Sequence, residues 1–248
     1  MDLQLQKTAV IDADSICYIA HWDTNSKSFD KPLEDIYKAI NQIISNILIN
    51  TRSNKYIGFV GMTRDYKRLE VYPDYKANRS KLEPLKHIND IKSYMIDTWE
   101  FHPVYGVEVD DIVNSVRLKV ENSVLCAIDK DLLMLEGTHY NYKKNEWIIT
   151  SEEEAIKYFW KSMIIGDVAD NIKGIKGKGV DFANKLFINI DDEASMRTLV
   201  FDEYINRYDE YEGIQKFYEN YICLKIRSNC PVIGFLTPTE LDVNKLVA

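Results

Sequence analysis

The sequence predicts an α/β fold, a mainly parallel central sheet with flanking helices, joined to a second lobe built of helices. Short apolar runs ending in aspartate alternate with longer segments of helical periodicity, the order that builds a parallel sheet. From about Gly166 onward only helical patterns occur, in "EASMRTLVFDEYINRYD" and "GIQKFYENYICLKI". The 248 residues suffice for one large or two small domains with a buried core. The expected division is 1–165 and 166–248.

The elements follow in order. "TAVIDADS" is a short buried strand, Ala9–Ile11, ending in Asp12. A helix comes next, because Leu33, Ile36, Tyr37, Ile40, Ile43, Ile44, Ile47 and Leu48 form one stripe. "KYIGFVG" is a second strand closed by Gly61, and "NSVLCAID" a third, ending in Asp129. "EVDDIVNSVRLKV" opens a helix with acids in its first turn, where the dipole favours them. "TSEEEAIKYFWKSMII" starts another, with Ser151 and Glu154 spaced as a capping box.

Acids outnumber bases, 39 to 31, for a formal charge of −8, which excludes a protein that coats nucleic acid by bulk electrostatics but allows a local basic patch. No apolar run approaches the ~18–20 residues of a membrane span, and no leader segment is evident. Cys17, Cys126, Cys223 and Cys230 are scattered without a Cys-x-x-Cys pair, so zinc and disulfide frameworks are not expected and a reducing cytoplasm is.

Ligands of parallel α/β sheets collect beyond the carboxyl ends of the strands. Asp12 and Asp129 sit at such ends, and Asp131, two residues on, points the same way if the chain is extended. Glu108, Asp110 and Asp111 mark a loop-to-helix junction, and Asp167 and Asp170, three apart, share a face if helical. Each group alone reads as a cap or turn. Together they predict a carboxylate cleft, and two carboxylates about 4 Å apart repel by about 4 kcal/mol at an effective dielectric of ~20. All-oxygen donors favour Mg²⁺ or Mn²⁺, and two such ions suit phosphodiester hydrolysis. Opposite the acids, Tyr75, Lys76 and Arg79 lie one helical turn apart, offering a stacking face and two phosphate-binding cations. After the last acids, Lys173, Gly174, Lys176, Gly177, Lys178 and Gly179 form a glycine-rich turn suited to close phosphate contact.

"YKANR", "GVEVDD", "AIDKDLLML" and "IIGDVADNIKGIKGKG", in this order after "VID", resemble the 5′-nuclease family of flap endonucleases, phage 5′-3′ exonucleases and the N-terminal nuclease domain of DNA polymerase I. The resemblance spans Ala9 to Phe187. It implies a PIN-like core, two or more metal ions on Asp12, Glu108, Asp110, Asp111, Asp129, Asp131, Asp167 and Asp170, and phosphate contacts from Lys76 and Arg79. It further implies stacking of the terminal nucleotide on Tyr75, a short helical arch near 75–100, and a helix–three-turn–helix element at the glycine turn that grips duplex DNA, often with K⁺. The implied substrate is branched or 5′-flapped DNA, or an RNA–DNA hybrid, in replication or repair, and a free-standing phage-type monomer is expected. The chain departs from the pattern at Met62, where the family usually places another metal-ligating aspartate, with Asp65 three residues on, and at Ala13 and Lys178. Two rival readings are a PIN-type ribonuclease and a non-catalytic binder of branched DNA.

Overall fold

The computed structural model describes residues 7–24, 26–81 and 85–246. In chain order the regular elements are β1 (Thr8–Asp12), α1 (Asp14–His21), α2 (Leu33–Thr51), β2 (Lys55–Gly61), α3 (Tyr66–Val71), α4 (Ile88–Trp99), β3 (His102–Val104), α5 (Val109–Arg117), β4 (Ser123–Cys126), β5 (Gly137–Asn141) and β6 (Glu146–Thr150). Then come α6 (Glu152–Ile165), β7 (Gly166–Asp167), β8 (Ile172–Lys173), α7 (Val180–Leu186), α8 (Glu193–Tyr208), α9 (Glu210–Leu224) and β9 (Thr239–Glu240).

The main sheet runs β3-β2-β1-β4-β5-β6. Its first five strands are parallel, β6 closes one side as an antiparallel hairpin with β5, and β9 pairs antiparallel with the start of β2. Strand alternation sends side chains to two separate cores. Ala9, Ile11, Tyr56, Val60, Val124 and Cys126 face α1, α2 and α4, whereas Val10, Ile57, Phe59 and Leu125 face α5 and the segment around Ile226 and Val232. The α2 stripe is buried as the periodicity requires, through Ile36, Ile40, Ile44, Ile47 and Leu48. Gly58 leaves a gap within β2, and the Phe101 ring fills it, 2.4 Å from where a Cβ would stand.

A third core lies among α6, α7, α8 and α9, around Phe159, Trp160, Met163, Val200 and Tyr204. Packing crosses the division expected at 165/166 in both directions. The α6 side chains join the helical lobe, and residues 226–232 return to the α/β core. The lobe also opens on the β7–β8 hairpin, where Asp167 and Asp170 were expected to share a helical face. Gly166 at φ 77° and Asn171 at φ 59° both adopt the left-handed region, which ends a helix. Within the expected arch, Ala77–Lys81 is a 3₁₀ turn and α4 packs Ile91, Met95 and Trp99 into the first core; residues 82–84 of it lie outside the described residues. All four cysteines are buried and free. Among the described residues no helix is long and apolar enough to cross a membrane.

A candidate carboxylate-lined active site

The parallel strands end at a cleft, and the local structure explains which acids face it. Asp12 is the last residue of β1 and is 4% exposed. Its Oδ1 accepts the N–H of Asp14 at 3.1 Å, turning the chain into α1. Glu108 is the N-cap residue of α5 but makes no capping bond. Its carboxylate instead accepts from Lys76 Nζ at 2.7 Å. Asp129 N-caps a 3₁₀ turn and accepts the N–H of Asp131 at 2.9 Å, so this pair sits on a turn and not on the extended chain expected. Asp167 and Asp170 lie at the end of β7 and in the hairpin turn, again not on a helix.

The segment "YKANR" is clamped to that hairpin. Lys76 N–H donates to the Asp170 carbonyl at 2.9 Å. Arg79 Nη2 reaches Asp170 Oδ1 at 2.5 Å, Tyr75 Oη reaches Asp170 Oδ2 at 3.1 Å, and Lys76 Nζ lies 3.6 Å from Asp170 Oδ2.

Burial and mutual repulsion raise several of these acids. Burial, then the charge of Asp14, with lesser push from Asp129 and Glu108, drives Asp12 up to about 8. Asp110 lies well above the carboxylate range for the same reasons, burial first and then Asp12 and Asp129. Burial drives Asp131 up to about 8 as well, helped by its hydrogen bond with the Asp167 carboxyl. Burial pushes Asp167 upward too, but that bond and the N–H of Ala169 at 2.8 Å outweigh it and hold Asp167 low. A cavity of about 20 Å³, room for about one water, is lined by Asp110, Asp131 and Asp170 together with Arg68, Tyr75 and the apolar side chains of Met134, Leu224 and Ile226.

These donors fit a hard cation in kind, being all oxygen and mutually repelling. Among the described residues no three His, Cys, Asp or Glu side chains close into a finished metal cage. Lys76 and Arg79 hold Glu108 and Asp170 in its place.

Not every expected residue lines the cleft. Asp111, one residue from Asp110, points the other way and is fully buried. Its oxygens accept from Arg68 at 2.9 and 3.0 Å and from Arg227 Nε at 2.8 Å, so its lone pairs are committed to arginine. Asp65 caps α3 and pairs with Arg68 and Arg227, and it is equally buried away from the cleft. Tyr75 is 3% exposed, packed in the third core under Lys76, so its ring offers no stacking face. Lys178 is engaged with Glu203 at 2.6 Å and with the Phe182 ring. At the glycine turn Lys173 and Lys176 are exposed beside a cavity of about 780 Å³ that Arg207 and Lys216 also line, together with Asp74, Glu212 and Glu219. Gly174 is packed against the Ile164 and Ile165 backbone, Gly177 is left-handed at φ 83°, and Gly179 has open space around it. The carbonyls of 173 to 176 each accept a protein hydrogen bond, which leaves K⁺ only their second lone pairs.

Three cleft residues escaped the sequence reading. Asp14, Tyr18 and Lys92 line a cleft of about 370 Å³ with Lys76, Arg79 and Glu108. Tyr18, 57% exposed, offers the aromatic face that Tyr75 does not. Asp14 was open to discovery, standing two residues beyond a strand-end aspartate. Lys92 carried no signal beyond its place on an amphipathic helix.

Fold and cleft together define an α/β protein with a PIN-like core and an acid-lined cleft at the ends of its parallel strands. The family described as 5′-3′ exonuclease, N-terminal resolvase-like domain, matches residues 7–160. The chain belongs to that 5′-3′ exonuclease family and is a nuclease. It is 26% identical over 258 residues to a 5′-3′ exonuclease of Buchnera aphidicola subsp. Schizaphis graminum, covering 92% of this chain and 87% of that protein. It is 25% identical over 242 residues to DNA polymerase I of Caldicellulosiruptor bescii, covering 86% of this chain and 25% of that one. Among solved structures, T5 5′-exonuclease with bound zinc superposes with a TM-score of 0.63 at 16% identity, covering 88% of this chain and 89% of that one. The catalytic core of Rad2 in complex with a DNA substrate gives a TM-score of 0.53 at 11% identity, covering 93% and 76%. At these identities the two structures speak for the fold.

Proposed function

We propose that the chain is a structure-specific 5′-nuclease, dependent on Mg²⁺ or Mn²⁺, that hydrolyses DNA phosphodiesters near single-strand/duplex junctions in replication or repair. The observation that carries this reading is the gathering of buried, mutually repelling acids at the strand ends, with Lys76 and Arg79 paired to Glu108 and Asp170 as counter-charges. Asp12, Glu108, Asp110 and Asp129 would hold one ion, and Asp131, Asp167 and Asp170 a second. Ions held there would supply an acidified water as nucleophile and screening of the phosphate's charge.

The chain's own groups do the rest. Lys76 and Arg79 are occupied by Glu108 and Asp170. Once those acids are neutralised, the two cations are released to donate to the scissile phosphate. Tyr18, at the rim, gives the terminal base a surface to stack on. Lys173 and Lys176 anchor the duplex backbone beside the glycine turn, without reading sequence. Unpairing the end brings the phosphate to the acids, at a few kcal/mol and least at a frayed end. The bound zinc of T5 5′-exonuclease and the DNA substrate of Rad2 agree with this reading.

The test uses a 5′-labelled flap DNA with Mg²⁺, with Mn²⁺ and with EDTA, beside an RNA–DNA hybrid and single-stranded RNA. Cleavage at the junction that needs the divalent ion, and is lost in the Asp110→Asn/Asp129→Asn double variant while duplex binding survives, is expected. Metal-independent cutting, or preferential cutting of single-stranded RNA, would overturn the reading.

A further inference from the structure

We propose that Asp14 supplies the carboxylate that position 62 lacks, acting on the cation held by Asp12 and Glu108; this rests on the metal-dependent reading above. β2 ends at Gly61, and Met62 beyond it lines the cleft with an apolar side chain that also packs against the first core, so the end of this strand brings no charge to the cleft. Asp14 brings one from the first turn of α1, two residues past the neighbouring strand. In the parallel register Asp12 stands opposite Phe59, so two residues on Asp14 meets Gly61. Its Oδ1 accepts the Gly61 N–H at 2.7 Å, and its Oδ2 lies 2.7 Å from where a Cβ on residue 61 would stand. The Asp14 carboxylate therefore fills the space a side chain at the end of β2 would take, and the missing side chain at Gly61 is what admits it.

The anchor is itself fixed. Lys92 donates to the Gly61 carbonyl from α4, and Met62 N–H donates to Val104 at 2.8 Å. Asp14 Oδ2 has no protein donor among the described residues, and the carboxylate shares its cleft with Glu108 and Lys76. A carboxylate with one oxygen tied to the backbone and the other free is placed to act on a cation, directly or through a bound water.

A plain clamp between the ends of β1 and β2 needs only the Oδ1 acceptor, which Asn retains. Mn²⁺ is titrated into the full chain by calorimetry, and thermal unfolding is followed with and without Mn²⁺, for wild type, Asp14→Asn and Asp14→Asn/Met62→Asp. Asp14→Asn is expected to weaken Mn²⁺ binding by about 10- to 100-fold with the metal-free Tm unchanged, and Met62→Asp to restore affinity. Wild-type binding of Mn²⁺ with equal affinity in Asp14→Asn overturns this proposal alone. No binding by wild type overturns the metal-dependent reading with it. Unchanged Mn²⁺ affinity together with an unchanged metal-free Tm in Asp14→Asn assigns Asp14 to the clamp alone.

Discussion

Lys76 sits at φ 55°, a left-handed angle that costs a non-glycine residue on the order of 1–3 kcal/mol. The bonds from its N–H to Asp170 and from its Nζ to Glu108 hold it there, aimed at the acids. A strained residue held by two cleft partners is positioned for chemistry, so Lys76→Ala should lower single-turnover cleavage by about 10²–10³-fold while leaving duplex affinity nearly unchanged. A loss confined to affinity would reassign Lys76 to anchoring. Asp111 is the opposite case. Removing it leaves Arg68 buried without its main partner, so Asp111→Ala should lose about 3–5 kcal/mol of stability in urea unfolding. A small loss would mean that the buried cluster is rearranged. The sequence offered Asp110 and Asp111 on equal terms. Adjacent helical residues face different ways, and nothing local says that Arg227 will claim the second.

Among elements, those with a dense local signal were legible. The β1 and β2 runs, the α2 stripe and the Ser151–Glu154 capping box all stand where periodicity and caps put them, and β4 starts where expected but ends at Cys126, short of the Asp129 expected to close it. Elements made by long-range pairing were not. β7 and β8 are two residues each and exist because each pairs with the other, so Asp167 and Asp170 could not be read as hairpin residues from spacing. β3 and β9 are likewise short and owe their state to β2. The glycine turn was legible in place but not in role. A Cβ on Gly174 would stand 2.2 Å from the Ile164 carbonyl, whereas one on Gly179 meets nothing within 4 Å. Gly174→Ala should therefore lower Tm and duplex affinity together, and Gly179→Ala should leave Tm nearly unchanged. Equal Tm values for the two variants would contradict this packing.

At the scale of the whole molecule, a chain of net charge −8 concentrates acid in one cleft. Folding raises Asp12 and Asp131 from 3.8 to about 8, chiefly by burial. Between those values the metal-free fold keeps protons that the unfolded chain has released. Its stability then falls as pH rises through that window, by linkage. A divalent ion must displace those protons to bind. The rise in Tm on adding Mg²⁺ should accordingly be larger at pH 8 than at pH 6, with EDTA abolishing it at both. A cation effect that is flat over this range would contradict the coupling.

The most direct test of a cation-dependent carboxylate centre is anomalous diffraction at the manganese edge from crystals grown with Mn²⁺. Two peaks are predicted, one among Asp12, Glu108 and Asp110 and one among Asp131, Asp167 and Asp170, with Lys76 and Arg79 released from their acids. No peak in the cleft, or manganese bound only elsewhere on the surface, would contradict it.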